Sequence, residues 1–324
     1  MIRAACWAGT CVAAFACTHL AGADLRIGIV GLDTSHVVAF TEMLNDAHNP
    51  QHVRGARVVA AYRGGSPDMP LSANRIEGFT AELRNRFHVR IVNDIPTLCS
   101  LVDAVLIESV DGRVHPEQAH QVLEAHKPVF IDKPLALSLA AAEEIAKAGS
   151  ATGTPWFTAS SLRFQPEFQS LRTDAKLGAI LGVEAFGPAP FEPGNPGLFW
   201  YGIHLVEMLY AAMGPGCESV TLYETPACDL VVGKWRDGRI ATVRGLRTGK
   251  ADYGLMVLGD RQSRFVPVVD ESYVHLVRRI VGFFETGRPP VPNAESLEVI
   301  AFLEAAERSR ALNGKTVKLT GNSE

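Results

Sequence analysis

No stretch of this 324-residue chain is long and apolar enough to cross a bilayer as a helix, and nowhere does basic charge accumulate. With 31 Lys and Arg against 35 Asp and Glu, the formal net charge is −4. There is thus no positive field to hold nucleic acid, and no nucleic-acid-binding motif is present. Cysteine is scarce as well. Cys6, Cys11 and Cys17 fall near the start, while Cys99, Cys217 and Cys228 are too few and too scattered for a disulfide framework. A Cys217–Cys228 bridge is open to the chain in an oxidising compartment; buried free thiols are the simpler expectation. No CxxC pair or His/Cys cluster with zinc spacing occurs, so no metal site is expected. Internal repeats and low-complexity tracts are absent too. What remains is an ordinary globular composition, long enough for two domains with separate cores.

Residues 1–23 differ from the rest. Met1-Ile2-Arg3 is a short positive start, and residues 4–17 are a run of small apolar residues. Ala21-Gly22-Ala23 places small residues at −3 and −1 of a cut before Asp24. That is the pattern of a secretory signal peptide. Its removal leaves 30 basic against 35 acidic residues. The expectation is a chain exported to the periplasm or beyond, with no membrane attachment once the leader is gone. No twin arginine is present, so export would carry the chain unfolded.

From Leu25 to about Ser161, short apolar runs alternate with helical segments. Strands are expected at 26–30, 57–62, 89–92, 104–107, 129–131 and 155–158, and helices near 37–45, 74–87, 97–102, 116–125 and 139–148. Strands spaced by helices of this length form βαβ units and a parallel sheet. Beyond about Arg163 the period changes. Segments 180–186, 218–223, 230–235, 240–245, 253–258 and 264–268 read as strands, with a hairpin signal at Asp237-Gly238. A helix at 199–213 interrupts them, stopped by Gly214-Pro215, and a terminal helix at 296–312 precedes a short strand at 316–319. The fold class is therefore α/β: a Rossmann-type parallel-sheet domain over residues 24–161, then an α+β domain with a mostly antiparallel sheet over 162–324, its last helix free to pack back on the first domain.

The first strand ends in Gly31-Leu32-Asp33-Thr34-Ser35-His36, where an α/β protein places a phosphate-binding loop. Only the first glycine of G-x-G-x-x-G is kept; Asp33 and His36 stand at the second and third. A carboxylate at ~4 Å from a phosphate costs on the order of 1 to 4 kcal/mol, depending on screening. Either Asp33-Thr34-Ser35 simply caps the helix, or the loop lines an altered site. A metal held by Asp33 and His36 lacks an identifiable third ligand.

Four further markers lie downstream. Asp132-Lys133-Pro134 follows an apolar strand; His115-Pro116 opens a helix; Arg163-Phe164-Gln165-Pro166 enters the second half; and Gly202-Ile203-His204-Leu205-Val206-Glu207 lies on a helix. With Gly287-Arg288-Pro289-Pro290 and Gly314-Lys315-Thr316-Val317 in order, this chain resembles the Gfo/Idh/MocA oxidoreductases from about Leu25 to Leu319. The resemblance implies an NAD(P)-dependent enzyme acting on a sugar or cyclitol hydroxyl, commonly a homo-oligomer. It implies Lys133 and His204 as catalytic residues and a dinucleotide touching Gly31, Asp33, Thr34, Ser35, His36, Arg63, His115 and Lys133. Trp200, Tyr201, Arg163 and Glu207 would then face the substrate.

Three positions depart from the family pattern. Trp200 stands where an aspartate usually precedes the histidine by one turn, and is either a stacking wall for a ring or a filler of the domain interface. Tyr62-Arg63-Gly64-Gly65-Ser66 lacks the acidic residue that would bind a ribose, so Arg63 either suits the 2′-phosphate of NADP or is a solvated loop residue. The glycine loop is the third. His204 is a proton acceptor or a core histidine satisfied by Glu207, and Glu207 orients the imidazole if both hold. The alternative function is a cofactor-poor relative that binds or processes carbohydrate without net redox.

Overall fold

The computed structural model describes residues 23–250, 252–269 and 273–320. Except for Ala23, the expected leader lies outside these residues. Six strands form a wholly parallel sheet: β1 (Leu25–Val30), β2 (Ala56–Tyr62), β3 (Arg90–Val92), β4 (Ala104–Ile107), β5 (Val129–Ile131) and β6 (Trp156–Thr158). Their order is β3-β2-β1-β4-β5-β6. The connecting helices are α1 (His36–Asn45), α2 (Pro70–Ala73), α3 (Ile76–Arg86), α4 (Ile95–Leu101), α5 (His115–Glu124) and α6 (Leu139–Thr152). Helices on both faces explain why Val105, Leu106 and Ile107 are all buried. Local chemistry sets the helix ends. The Asp94 carboxylate accepts the Thr97 N–H at 2.6 Å to start α4, and the Ser138 hydroxyl accepts that of Ala141 to start α6. Strand order reverses between β1 and β4, so the carboxyl ends of β1, β4 and β5 open onto one crevice.

After α7 (Pro166–Gln169) comes a seven-stranded sheet of β7 (Ile180–Pro188), β8 (Cys217–Glu224), β9 (Cys228–Trp235), β10 (Ile240–Leu246), β11 (Gly254–Gly259), β12 (Ser263–Pro267) and β13 (Val317–Lys318). Its order is β12-β11-β7-β10-β9-β8-β13, and only the β7–β10 pair runs parallel. Val183 and Ala185 of β7 and Val243 of β10 point inward beneath α8 (Gly202–Met213), while Glu184, Phe186 and Arg244 point outward. The last helix, α10 (Asn293–Ala311), packs on β8 and also on α6 of the first half.

Besides the single-turn helices α2 and α7, one long element was not expected from the sequence. Between β12 and α10, α9 (Val274–Thr286) buries Val274, Val277, Ile280, Val281 and Phe284 against Ile27, Val37 and Phe40 of the first half. Those positions recur at helical spacing, and the signal was readable. All three described cysteines are free; Cys99 and Cys217 are buried, while Cys228 is only partly so. No helix among the described residues is long and apolar enough to cross a membrane.

Gly31 shows how tightly the crevice is built. Its φ is +85°, and a Cβ placed there would sit 2.2 Å from Ser109 Oγ and 2.6 Å from the Ser109 backbone. Gly153, ending α6 at φ +66°, has open space around it. Gly153→Ala should cost roughly 1–2 kcal/mol from backbone strain alone. Gly31→Ala adds overpacking of about 1–3 kcal/mol, and denaturant melts should separate the two variants by that difference.

Candidate active site

The opening loop is covered by the protein itself. Gly31 and Leu32 donate their N–H groups to the Tyr62 and Arg63 carbonyls at 3.0 and 2.9 Å. Asp33 has no solvent exposure; its carboxylate accepts the Val110 N–H at 2.9 Å and the Ser72 hydroxyl at 2.6 Å. Burial raises its pKa above the usual aspartate value, against the lowering effect of those bonds. Gly31, Leu32, Asp33 and Thr34 are all buried, and only Ser35 of the turn is exposed. The expectation that Asp33 faces the cleft is therefore corrected: it is turned inward as a clasp between loops.

His115 is corrected in the same way. It is fully buried, with its ring nitrogens 2.9 Å from the Pro134 carbonyl and 2.8 Å from that of Ser109, so it ties two loops together and does not line the cleft. The Arg63 guanidinium pairs with Glu77 on the surface, beside a separate depression lined by Gly64, Ser66 and Ser72. Arg163 and Glu207 also leave the expected site. Arg163 bonds Glu207 Oε2 at 2.8 Å and also Glu295, forming a buried charged trio that joins α8 to α10. Glu207 consequently does not orient His204.

Other expected residues do meet. A cleft of about 190 Å³ between the two halves is lined by Ser35, His36, Lys133, Trp200, Tyr201 and His204, among others. Thr34 also borders it. Lys133 follows Asp132 at the end of β5, and its Nζ lies 5.6 Å over the Trp200 ring. His204 sits in the first turn of α8 with Nδ1 2.7 Å from Ser160 Oγ, and Tyr201 packs edge-on against it at 5.6 Å. Burial and the nearby Lys133 ammonium push the His204 pKa well below 6.5, so the imidazole is neutral near pH 7. Ser160, which carried no signal in the sequence, fixes one ring nitrogen and leaves Nε2 as the other acceptor or donor.

Beside these lies a cluster that was not expected from the sequence. His36 Nδ1 is 2.8 Å from Asp132 Oδ2 and 3.6 Å from Glu108 Oε2. Burial alone would lower the His36 pKa, but Asp132 and Glu108 outweigh it and carry it up to about 9. Burial and the Asp132 charge push Glu108 up, while His36 and Lys133 hold Asp132 down despite its burial. Glu108 had a sequence signal: an acid directly after the apolar run 104–107, at the carboxyl end of a central strand.

A parallel sheet with a crevice at its switch point, closed off by a second α+β half, is the architecture of a two-part nucleotide-binding-type fold. Residues 25–158 match the Gfo/Idh/MocA model, described as an oxidoreductase family with an NAD-binding Rossmann fold. Solved structures agree over nearly the whole fold. A probable dehydrogenase from Thermotoga maritima is 21% identical with a TM-score of 0.76, over 91% of this chain and 99% of that one. Scyllo-inositol dehydrogenase from Lactobacillus casei, with bound NAD(H) and scyllo-inositol, is 15% identical with a TM-score of 0.77, over 92% and 100%. Myo-inositol 2-dehydrogenase from Lactobacillus plantarum is 18% identical with a TM-score of 0.75, over 92% and 100%. At these identities the likeness establishes the fold. Among curated proteins nothing matches.

The dinucleotide of that family does not fit the loop as it stands. A pyrophosphate needs open backbone at the glycine turn, and here Gly31 lies against Ser109 while the Asp33 side chain fills the second-glycine position.

The buried neutral imidazole makes a testable mark on stability. Below about pH 6.5 the unfolded His204 takes a proton that the folded form refuses, so its contribution falls as pH falls, by up to about 1.4 kcal/mol per pH unit. In urea melts from pH 7 to pH 5, wild type should lose stability relative to His204→Gln. A constant difference would contradict the neutral-imidazole assignment.

Proposed function

We propose that the cleft acts as an oxidoreductase site on a hydroxyl of a sugar or cyclitol ring, with Lys133 and His204 at the reacting carbon. The observation that carries this is the meeting of Lys133 and His204 in a cleft walled by Trp200 and Tyr201. Oxidation of an alcohol carbon requires removal of the hydroxyl proton and of a hydride from carbon, which the nicotinamide of a bound dinucleotide would accept. A neutral His204 imidazole held by Ser160 accepts it, and the Lys133 ammonium steadies the negative charge that develops. The aromatic wall suits the apolar face of a ring. The scyllo-inositol bound by the Lactobacillus casei enzyme supports this substrate class.

A second reading has its own observation. The buried loop Gly31–Thr34 favours a family member that processes carbohydrate without net redox. The oxidoreductase reading requires the segment Ser109–Val110 to lift off that loop. If a dinucleotide is used, NADP is preferred, because Arg63 follows β2 with no acid beside it and the exposed Glu77 pair is weak enough to exchange for a phosphate. We also infer a homo-oligomer formed through the outward face of the second sheet, where Glu184, Phe186, Leu230 and Arg244 line a shallow hollow. Export through residues 1–23 completes the reading, and N-terminal sequencing of the secreted chain should begin at Asp24.

Titration of the mature protein with NADP and NAD separates the two readings. Saturable binding below the millimolar range, with dinucleotide reduction by a cyclitol, supports the first; its absence sinks it. Asp33→Gly removes the clasp and should strengthen dinucleotide binding about tenfold or more, equal to about 1.4 kcal/mol. On either reading, Lys133→Ala and His204→Ala should each lower turnover by about 10²–10⁴. Unchanged turnover in both variants would remove them from the reacting centre.

A further inference from the structure

Three side chains meet where β1, β4 and β5 end. His36 is the first residue of α1, Glu108 directly follows β4, and Asp132 directly follows β5. Since these strands are neighbours in the sheet, three positions far apart in sequence share one corner of the crevice. One donor atom from each lies within 4.8 Å of the others, the one such group of His, Cys, Asp and Glu among the described residues.

Glu108 supplies the second observation. It has no solvent exposure, and neither of its carboxylate oxygens has a hydrogen-bond partner. A buried carboxylate in that condition is strongly disfavoured. His36 Nδ1 is also without a hydrogen bond of good geometry, because Asp132 Oδ2 approaches it at 2.8 Å off the line of its N–H. An ordinary ion pair would align those two atoms and would still leave Glu108 bare. A shared cation at the centre satisfies all three side chains.

We propose that His36, Glu108 and Asp132 hold one divalent first-row metal ion at the inner wall of the cleft. Two carboxylates balance the charge of such an ion, and one imidazole with oxygen donors and no sulfur suits Zn²⁺ or Mn²⁺. Ligands ~2.1 Å from a tetrahedral ion lie roughly 3.4 Å apart. The His36–Glu108 separation of 3.6 Å is close to that, and the His36–Asp132 separation of 2.8 Å needs only a small opening. The surroundings hold the ligands in place. The His36 ring stacks on Phe40 at 5.4 Å and meets the edge of Tyr273 at 4.7 Å. Asp132 Oδ1 accepts the Lys133 N–H at 2.9 Å, a contact of the kind that orients a ligating carboxylate. Lys133 and His204 are the other titratable groups beside the cluster, and Lys133 extends over Trp200. His36 borders the cleft, so the remaining coordination positions face the space proposed for the ring hydroxyls. The site would bind an oxygen of the substrate directly. This inference does not depend on the oxidoreductase reading.

The test uses the mature chain, stripped with a chelator and desalted, then titrated with Zn²⁺ and separately with Mn²⁺. Binding is read by calorimetry and by the spin resonance of free Mn²⁺. The expected result is one equivalent bound by at least one of the two ions, a raised melting temperature, and affinity reduced at least about 100-fold in both Glu108→Gln and His36→Gln. Glu108→Gln keeps the side-chain shape and should melt, metal-free, no lower than wild type. The proposal is overturned if folded wild type binds neither ion at one equivalent below about 1 mM, or if both variants bind as wild type does. Should Glu108→Gln fail to fold, the affinity of His36→Gln alone decides. Metal binding without dinucleotide turnover would support this site while removing the oxidoreductase reading, and the reverse would do the opposite.

Discussion

The Asp33 carboxylate, fully out of water, holds the mouth of the crevice together. It joins the turn after β1 to Val110, 77 residues on, and to Ser72, 39 residues on. Its bonds have normal lengths, and both of its oxygens are used. Removing either oxygen's partner would leave a buried polar group costing about 1–3 kcal/mol. Ser109, next to Val110, lies directly against Gly31, and Asp33 occupies the second-glycine position at which backbone would approach a pyrophosphate. The residue just before Ser109 is Glu108, whose N–H continues the β1–β4 ladder to the Val30 carbonyl at 2.8 Å and whose carboxylate lies beside His36.

Charge is partitioned along the same edge. Glu108 and Asp132 lie inward with His36, whereas Lys133 turns outward over Trp200 and His204 faces it from the other half. One histidine lies among carboxylates and is driven toward its charged form; the other lies beside a cation and is driven toward its neutral form. Two imidazoles in one cleft therefore have opposite chemistry. The first retains a proton until a cation displaces it, and the second suits acceptance of a proton. Ordinary Coulomb effects in a poorly solvated space are enough to produce that division.

How much of this was legible in the sequence depended on how local the cause was. Strands β1 to β6 were readable because each is a short apolar run between turn residues, and the order of markers from Asp132-Lys133-Pro134 to Gly202-Ile203-His204 fixed their arrangement. Helix α9 is equally local in origin, since Val274, Val277, Ile280 and Phe284 recur on one helical face, yet it was not among the expected elements. The roles of polar side chains were another matter. His204 and Glu207 share a helix face, and spacing alone favoured their pairing. The structure instead gives Glu207 to Arg163, 44 residues away, and gives His204 to Ser160. Asp33 was legible as an anomaly but not as a clasp, since Val110 contributes only a backbone N–H and carries no signal of type. Partners set by tertiary closure leave no periodicity to read.

The crevice at the switch point follows from strand order and would exist whatever side chains stood at its rim. What it does is decided by the residues that end β1, β4 and β5. In a dinucleotide-binding member the turn after the first strand must be small, so that backbone reaches phosphate. Here the rim carries Asp33 and His36, Glu108, and Asp132, four polar groups whose donors converge or are buried. Asp33 is fully bonded, and His36, Glu108 and Asp132 converge to within 4.8 Å, with Glu108 left without a hydrogen-bond partner. The departures from the glycine-loop pattern thus gather at one corner of the crevice, where strands β1, β4 and β5 end.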